Sequence, residues 1–304
     1  MNEPVSLLWT GLFVVASAAI AADLLLHRRT GGVMSARAAL LETGAWIGLA
    51  LLFDLWIFQA RGRSAAIEFL TGYLIEKSLS IDNIFLFLVI FHTFRVPLRA
   101  QHRVLYYGVA GALLLRALFV FAGVELLDYF QQIAYLFGAI LFLTALRMLF
   151  PRREETAGTA WIVRFAGRFF PVTESGDGEH FFLRENGKLL ATSLFLALLT
   201  IEVADVVFAT DSIPAVLSIT RDTFIAYSSN VFAVLGLRAI YFVLAGVLRK
   251  IRFLHQGLAA VLIFTGVKMV LGSRVPFSDA WSLAAITAIF AATALASFLL
   301  PGKI

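Results

Sequence analysis

The chain has no cysteine. That absence rules out disulfides and thiolate metal sites, nearly excludes soft-metal chemistry through sulfur, and leaves the redox compartment undetermined. Charge is scarce too: 15% of residues are Asp, Glu, Lys or Arg, against about 25% in soluble domains. The five histidines, His27, His92, His102, His180 and His255, fall at segment ends or in loops and never at the HExxH spacing of zinc proteases. There is also no Gly-rich phosphate loop and no nucleophile–base motif, so neither a nucleotide-driven pump nor an enzyme is expected. Nothing calls for a prosthetic group.

What the chain does have is apolar surface. It is 60% hydrophobic with 29 Phe and a mean hydropathy of +0.88, where soluble chains hold about 45–50% apolar residues. Its apolar runs repeatedly reach the roughly 20 residues a helix needs to cross the hydrocarbon core. Nine spans are read, near Leu7–Leu26, Leu40–Phe58, Ile67–Phe91, Val104–Gly123, Phe130–Phe150, Leu189–Ala209, Phe224–Leu248, His255–Leu271 and Trp281–Leu300. The first has no basic stretch before it and is followed by His27-Arg28-Arg29, so a retained helix is expected rather than a cleaved signal. The expected fold class is an all-α polytopic membrane protein with about nine transmembrane helices, multi-pass in a bacterial inner membrane.

The net charge of +5 is spread through short loops rather than gathered in a patch, so lipid and not nucleic acid is the expected partner. With the N-terminus outside, sixteen Lys and Arg fall in inside loops and only Arg61, Arg63, Arg221 and Arg274 outside. The positive-inside rule then gives N-out and C-in. In the longest connector, 151–188, Trp161, Ile162, Phe165 and Phe169 share one helical face and predict a short interfacial helix. Asn186-Gly187 at its end fits a tight hairpin turn, although an ordinary cytoplasmic connector is the plainer reading.

Two segments of the chain resemble each other. "LIEKSLSIDNIF" at 74–85 faces "TIEVADVVF" at 200–208, "LLLRALFVFAGV" at 113–124 faces "LGLRAIYFVLAGV" at 235–247, and "AILFLTALRMLF" at 139–150 faces "AVLIFTGVKMVL" at 260–271. The organisation expected is two N-terminal spans (1–66), a first three-helix repeat (67–150), the cytoplasmic connector (151–188), a second repeat (189–272) and a last span (273–304). Three crossings is an odd number, so the second repeat must be inverted, and substrate sites in such folds lie at the repeat interface.

Ionisable groups deep in a membrane need a partner or a function. Here they cluster on the first helix of each repeat: Glu76, Lys77, Asp82 and Asn83 on one, Glu202, Asp205, Asp211 and Ser212 on the other. Glu202 and Asp205 share a helical face, as do Glu76 and Asn83. Asp82 lies roughly 120° round from Glu76 and joins it only across a wide cavity or a local unwinding, which Pro214 invites near Asp211. Carboxylates with amide and hydroxyl neighbours make a hard oxygen set suited to Mn²⁺, Mg²⁺ or Ca²⁺. The bland alternative is that the acids pair with Lys77, Arg116 and Arg238 as packing ion pairs; the mirrored placement argues against it. Arg116 and Arg238 read as neutralising the acids, with gating as a lesser role, while Lys77, Arg147 and Lys268 pair or snorkel. Asp23 and Asp54, near helix ends, are not counted as site residues.

"FLTGYLIEKSLSIDNIFLF" (69–87), "EVADVVFATDSIPAVLSIT" (202–220) and "SNVFAVLGLRAIYF" (229–242) resemble the TerC family of integral membrane proteins, in its Alx-like branch, and the resemblance covers nearly the whole chain. It implies export of manganese from the cytoplasm, with Glu76, Asp82, Asn83, Glu202, Asp205, Asp211 and Ser212 as the metal-coordinating set. A carboxylate-lined cavity would repel the tellurite anion, which sets aside direct tellurite transport. Proton antiport is compatible with carboxylates that load metal or protons, but no residue names the coupling ion. The rival reading is a non-transporting membrane partner that assists metal loading or assembly of secreted proteins, its acids structural and its protein partners unknown.

Overall fold

A computed structural model describes residues 5–27, 35–130, 132–149, 180–185, 188–244, 253–271 and 279–299. These form α1 (Val5–His27), α2 (Ala36–Arg61), α3 (Arg63–Thr93), α4 (Leu98–Tyr129), α5 (Ile133–Leu149), β1 (Phe182–Glu185), β2 (Lys188–Ala191), α6 (Ser193–Leu217), α7 (Thr223–Val234), α8 (Leu237–Leu244), α9 (Leu254–Leu271) and α10 (Asp279–Leu299). Five described stretches, Arg37–Arg61, Leu98–Tyr129, Ser193–Leu217, Thr223–Val243 and Ala280–Ser297, are long and apolar enough to cross a membrane. At 31 residues α3 is longer than four of these, but it strings Glu68, Glu76, Lys77 and Asp82 along its length.

The outside is apolar as well as the core, and a few polar and charged groups are buried. Leu52, Leu114, Leu118, Val207 and Leu295 are each at least 59% exposed, while Glu76, Ser80, Arg116, Ser228, Ser229 and Asn230 lie inside. An apolar skin is what a lipid solvent selects, and the buried polar groups are gathered within an otherwise apolar interior.

Local chemistry sets the element ends. Ser35 caps α2 by accepting the Ala38 amide at 3.3 Å. Gly62 alone separates α2 from α3, at φ +87°, a left-handed conformation that favours glycine. Asp222 caps α7 by accepting the amides of Phe224 (2.9 Å) and Ile225 (3.1 Å), and its other oxygen pairs with Arg61 at 2.6 Å, tying the start of α7 to the end of α2.

Three expectations are corrected. Span six does not begin at Leu189: Leu189, Leu190 and Ala191 pair antiparallel with Arg184, Leu183 and Phe182, and α6 starts at Ser193. The fold remains mostly helical, consistent with the expected all-α class, and among the described residues it carries one small β-hairpin in which Glu185 pairs with Lys188. No break occurs at Pro214, which sits late in a continuous α6 where its missing N–H costs only one helical bond. The break falls instead in span seven, where Leu235 and Gly236 (φ +84°) separate α7 from α8, and a Cβ on Gly236 would stand 2.7 Å from Trp46 Cγ. The interfacial helix read around Trp161–Phe169 lies outside the described residues.

Side-chain contacts give the helix directions. α4 and α6 run parallel, since Gly108 meets Ile201, Arg116 meets Asp205 and Gly123 meets Leu217. α3 and α7 also run parallel, through Gly72–Ser229, Glu76–Asn230 and Lys77–Leu235. α5 and α9 run antiparallel and pack most extensively, with Gly138 against Val270 and Leu141 against Gly266. A Cβ on either Gly138 or Gly266 would stand 3.2 Å from the other's carbonyl oxygen, so absent side chains let these backbones touch. α9 and α10 are antiparallel through Gly257–Thr293 and Phe253–Ser297. α7, whose residues Phe224–Val234 are all buried, is the central element, enclosed by α1, α2, α3 and α4.

Candidate ion site

Arg116 stands past the middle of α4 and is 1% exposed. Its Nη2 donates to Asp205 Oδ1 at 2.9 Å and its Nε to Asp205 Oδ2 at 3.3 Å. Nη1 donates to Glu76 Oε1 and, at 2.9 Å, to Asn230 Oδ1. Asn230 in turn donates its amide to Glu76 Oε2 at 3.3 Å. Side chains from α3, α4, α6 and α7 thus converge on one guanidinium, whose planar fork suits bidentate pairing with a carboxylate.

Glu76 is fully buried and Asp205 is 6% exposed. Two carboxylates against one guanidinium leave this trio one negative charge in excess when all are ionised. Removing either partner of such a buried pair strands a charge in low dielectric. Arg116 fills the space between the two acids. Among the described residues no three carboxylate or imidazole side chains converge to hold a metal ion.

The predicted residues separate in space. Glu76, Asp205 and Arg116 meet, as expected. Glu202 turns to α4 one helical turn away, its carboxylate filling the space where Gly111 would carry a Cβ, and its Oε2 is buried without a hydrogen-bond partner. Asn83 is buried at 3% exposure on the Glu76 face of α3. Ser212 is buried with its hydroxyl unpartnered, whereas Asp211, next to it, is half-buried. The side chain of Asp82 lies outside the described residues, but α3 is continuous through it, so no unwinding brings it round to the Glu76 face.

Two cations depart from expectation. Arg238 does not reach the acids; its Nη2 pairs with Glu42 of α2 at 3.0 Å, because the break at Gly236 re-aims α8 toward α2. Lys77 pairs with no acid there either: its Nζ donates to the carbonyls of Ala233 (3.0 Å) and Leu235 (3.3 Å). Those are carbonyls that a helix end leaves unpaired.

The chain matches the integral membrane protein TerC family over residues 61–302. It belongs to the TerC family. It is 43% identical over 293 residues to "Uncharacterized membrane protein STKORF319" of Myxococcus xanthus, covering 96% of this chain and 92% of that one. It is 45% identical over 275 residues to "Putative membrane-bound redox modulator Alx" of Escherichia coli K12 (87% of this chain, 86% of that one), and 40% identical over 297 residues to the protein so named in Photorhabdus laumondii (94% and 93%). No solved structure matches. A TerC chain is an integral, multi-pass membrane protein.

In this TerC chain the Arg116 bridge changes how the repeat is read. The register that aligns the two Ile-Glu pairs sets Glu76 against Glu202, yet the residue sharing Arg116 with Glu76 is Asp205. Asp82 and Asn83 follow Glu76 by six and seven residues, and Asp211 and Ser212 follow Asp205 by the same steps. Sequence reasoning also missed Asn230, Glu42, Gly111 and Gly236. Asn230 carried a signal, closing a Ser228-Ser229-Asn230 run of polar residues inside an apolar span. Gly111 and Gly236 carried none, because their role lies in the neighbour that occupies their missing side chain.

Proposed function

We propose that this TerC protein is a secondary transporter that exports Mn²⁺, as substrate, from the cytoplasm through the site between α3 and α6. The observation that carries the reading is a pair of buried carboxylates, Glu76 and Asp205, on the first helices of the two repeats, joined by one counter-charge, Arg116. Each intramembrane charge costs about 2.5–3.5 kcal/mol on insertion scales, so a sequence keeps such a cluster for a use. Glu76, Asp205 and the Asn230 carbonyl oxygen are hard donors once Arg116 withdraws, and Asn83, Asp211 and Ser212 extend that oxygen set along both helices. Glu202, one turn nearer the start of α6, is the acid a cytoplasmic ion meets first.

The helix directions support nine alternating spans, N-out and C-in, in the bacterial inner membrane. Every contact direction among α2, α3, α4, α6, α7, α8, α9 and α10 agrees with that alternation. The inverted repeats, 67–150 and 189–272, are supported by reciprocal packing: α3 on α7, α4 on α6 and α5 on α9 pair first with second, second with first and third with third. On this reading the chain is not an enzyme and carries no prosthetic group. The redox role in the names of its relatives would reach this cysteine-free chain indirectly, through metal supply rather than thiol chemistry of its own.

The saturation of Arg116 by Glu76, Asp205 and Asn230 favours one second reading, a non-transporting partner whose acids only hold the bundle. Mn²⁺ uptake into inside-out vesicles, under an imposed pH gradient or membrane potential, separates the two. Transport lost in Asp205→Asn while the protein stays folded supports the site. Wild type moving no more Mn²⁺ than empty vesicles refutes it.

A further inference from the structure

Export requires the emptied site to return, and two bare carboxylates would cross the membrane interior at high cost. We infer that Arg116 is a tethered counter-cation that takes the place of the metal on the return step, so that the emptied site does not cross the membrane with its carboxylates bare. This rests on the transport reading above.

Three observations support it. The guanidinium engages both oxygens of Asp205, one of Glu76 and the carbonyl oxygen of Asn230, the same hard oxygens a divalent ion would need. Metal and arginine therefore exclude each other. A guanidinium neutralises the acids without borrowing a proton. Arg238, its counterpart in the second repeat, is engaged with Glu42, which leaves Arg116 as the cation that the described residues bring between Glu76 and Asp205. A single positive charge held against two negative ones also leaves the site attractive to the next dication, which competes with twice the charge.

The test compares two transport modes in proteoliposomes: net Mn²⁺ uptake into metal-free vesicles, and exchange of labelled Mn²⁺ against Mn²⁺ trapped inside. Exchange never requires the empty site to cross the membrane; net uptake does. Arg116→Ala is expected to lower the ratio of net uptake to exchange by about tenfold or more, a 1.4 kcal/mol penalty on the empty state. Arg116→Lys, which keeps a tethered cation, is expected to restore the ratio, and millimolar guanidinium ion to raise it in the Ala variant. If Arg116→Ala does not fold, Arg116→Gln keeps a hydrogen-bond donor without the charge and is read the same way. An unchanged ratio, or both modes falling together in a folded variant, overturns the inference and leaves the transport reading standing. Absence of both modes in wild type overturns the transport reading itself, before any variant is compared.

Discussion

The ammonium of Lys77 lies 3.3 Å from the carbonyl oxygen of Leu235, the residue at which α7 stops. Lys77 follows Glu76 on α3, so one helical step separates the acid held by Arg116 from the cation holding the broken helix. The turn of α3 that carries the acid is thereby tied to the α7–α8 junction.

Lys77→Met is expected to leave two carbonyls at that junction unpaired and to cost about 1–3 kcal/mol, the usual penalty for stranding a buried polar group. Thermal unfolding in detergent reads this directly. Lys77→Arg, which retains donors, should recover part of the loss.

Gly236→Ala should destabilise for two separable reasons. The left-handed conformation costs an L residue about 1–2 kcal/mol, and the new methyl would meet Trp46. Adding Trp46→Ala removes the clash but not the backbone strain, so unfolding of the double variant should show no residual effect of crowding at position 236 while the strain persists.

Gly111→Ala should displace the Glu202 carboxylate from its place against α4. The expected result is slower Mn²⁺ uptake with a raised half-saturating concentration in a folded protein. Uptake equal to wild type would remove Glu202 from the ion path.

Asn230→Leu deletes both the acceptor for Arg116 and the donor to Glu76. Transport should fall at least as far as in Glu202→Gln, with a stability loss of about 1–3 kcal/mol from the unpaired partners. Asn230→Asp would instead bind Arg116 more firmly and should slow turnover without lowering the unfolding temperature to the same extent.

Much of the site was legible in the chain itself. Glu76 and Asp205 stood out because a carboxylate in an apolar run is costly, and Arg116 because a cation beside such acids offsets the cost. Arg238 looked like its equal and is not. The local motif around both arginines is similar, but only Arg238 follows a break, and the helix it then starts packs on α2. Asn230 was passed over because amides pack inside bundles for many reasons, and only its neighbours decide which.

Hydropathy and charge act residue by residue along a helix, so the chain alone reveals that it lives in a membrane and where its intramembrane charges fall. The hairpin was legible only as a tight turn that Asn-Gly fits, with an ordinary connector the plainer reading; the pairing of Phe182–Glu185 with Lys188–Ala191 decided it. Packing between segments settled the rest: that Asp205, rather than Glu202, shares an arginine with Glu76, that span seven breaks at Gly236, and that Lys77 serves a helix end. Each of these depends on which side chain fills the space beside another helix, across 89 residues of chain for Arg116 and Asp205 and 156 for Lys77 and Ala233.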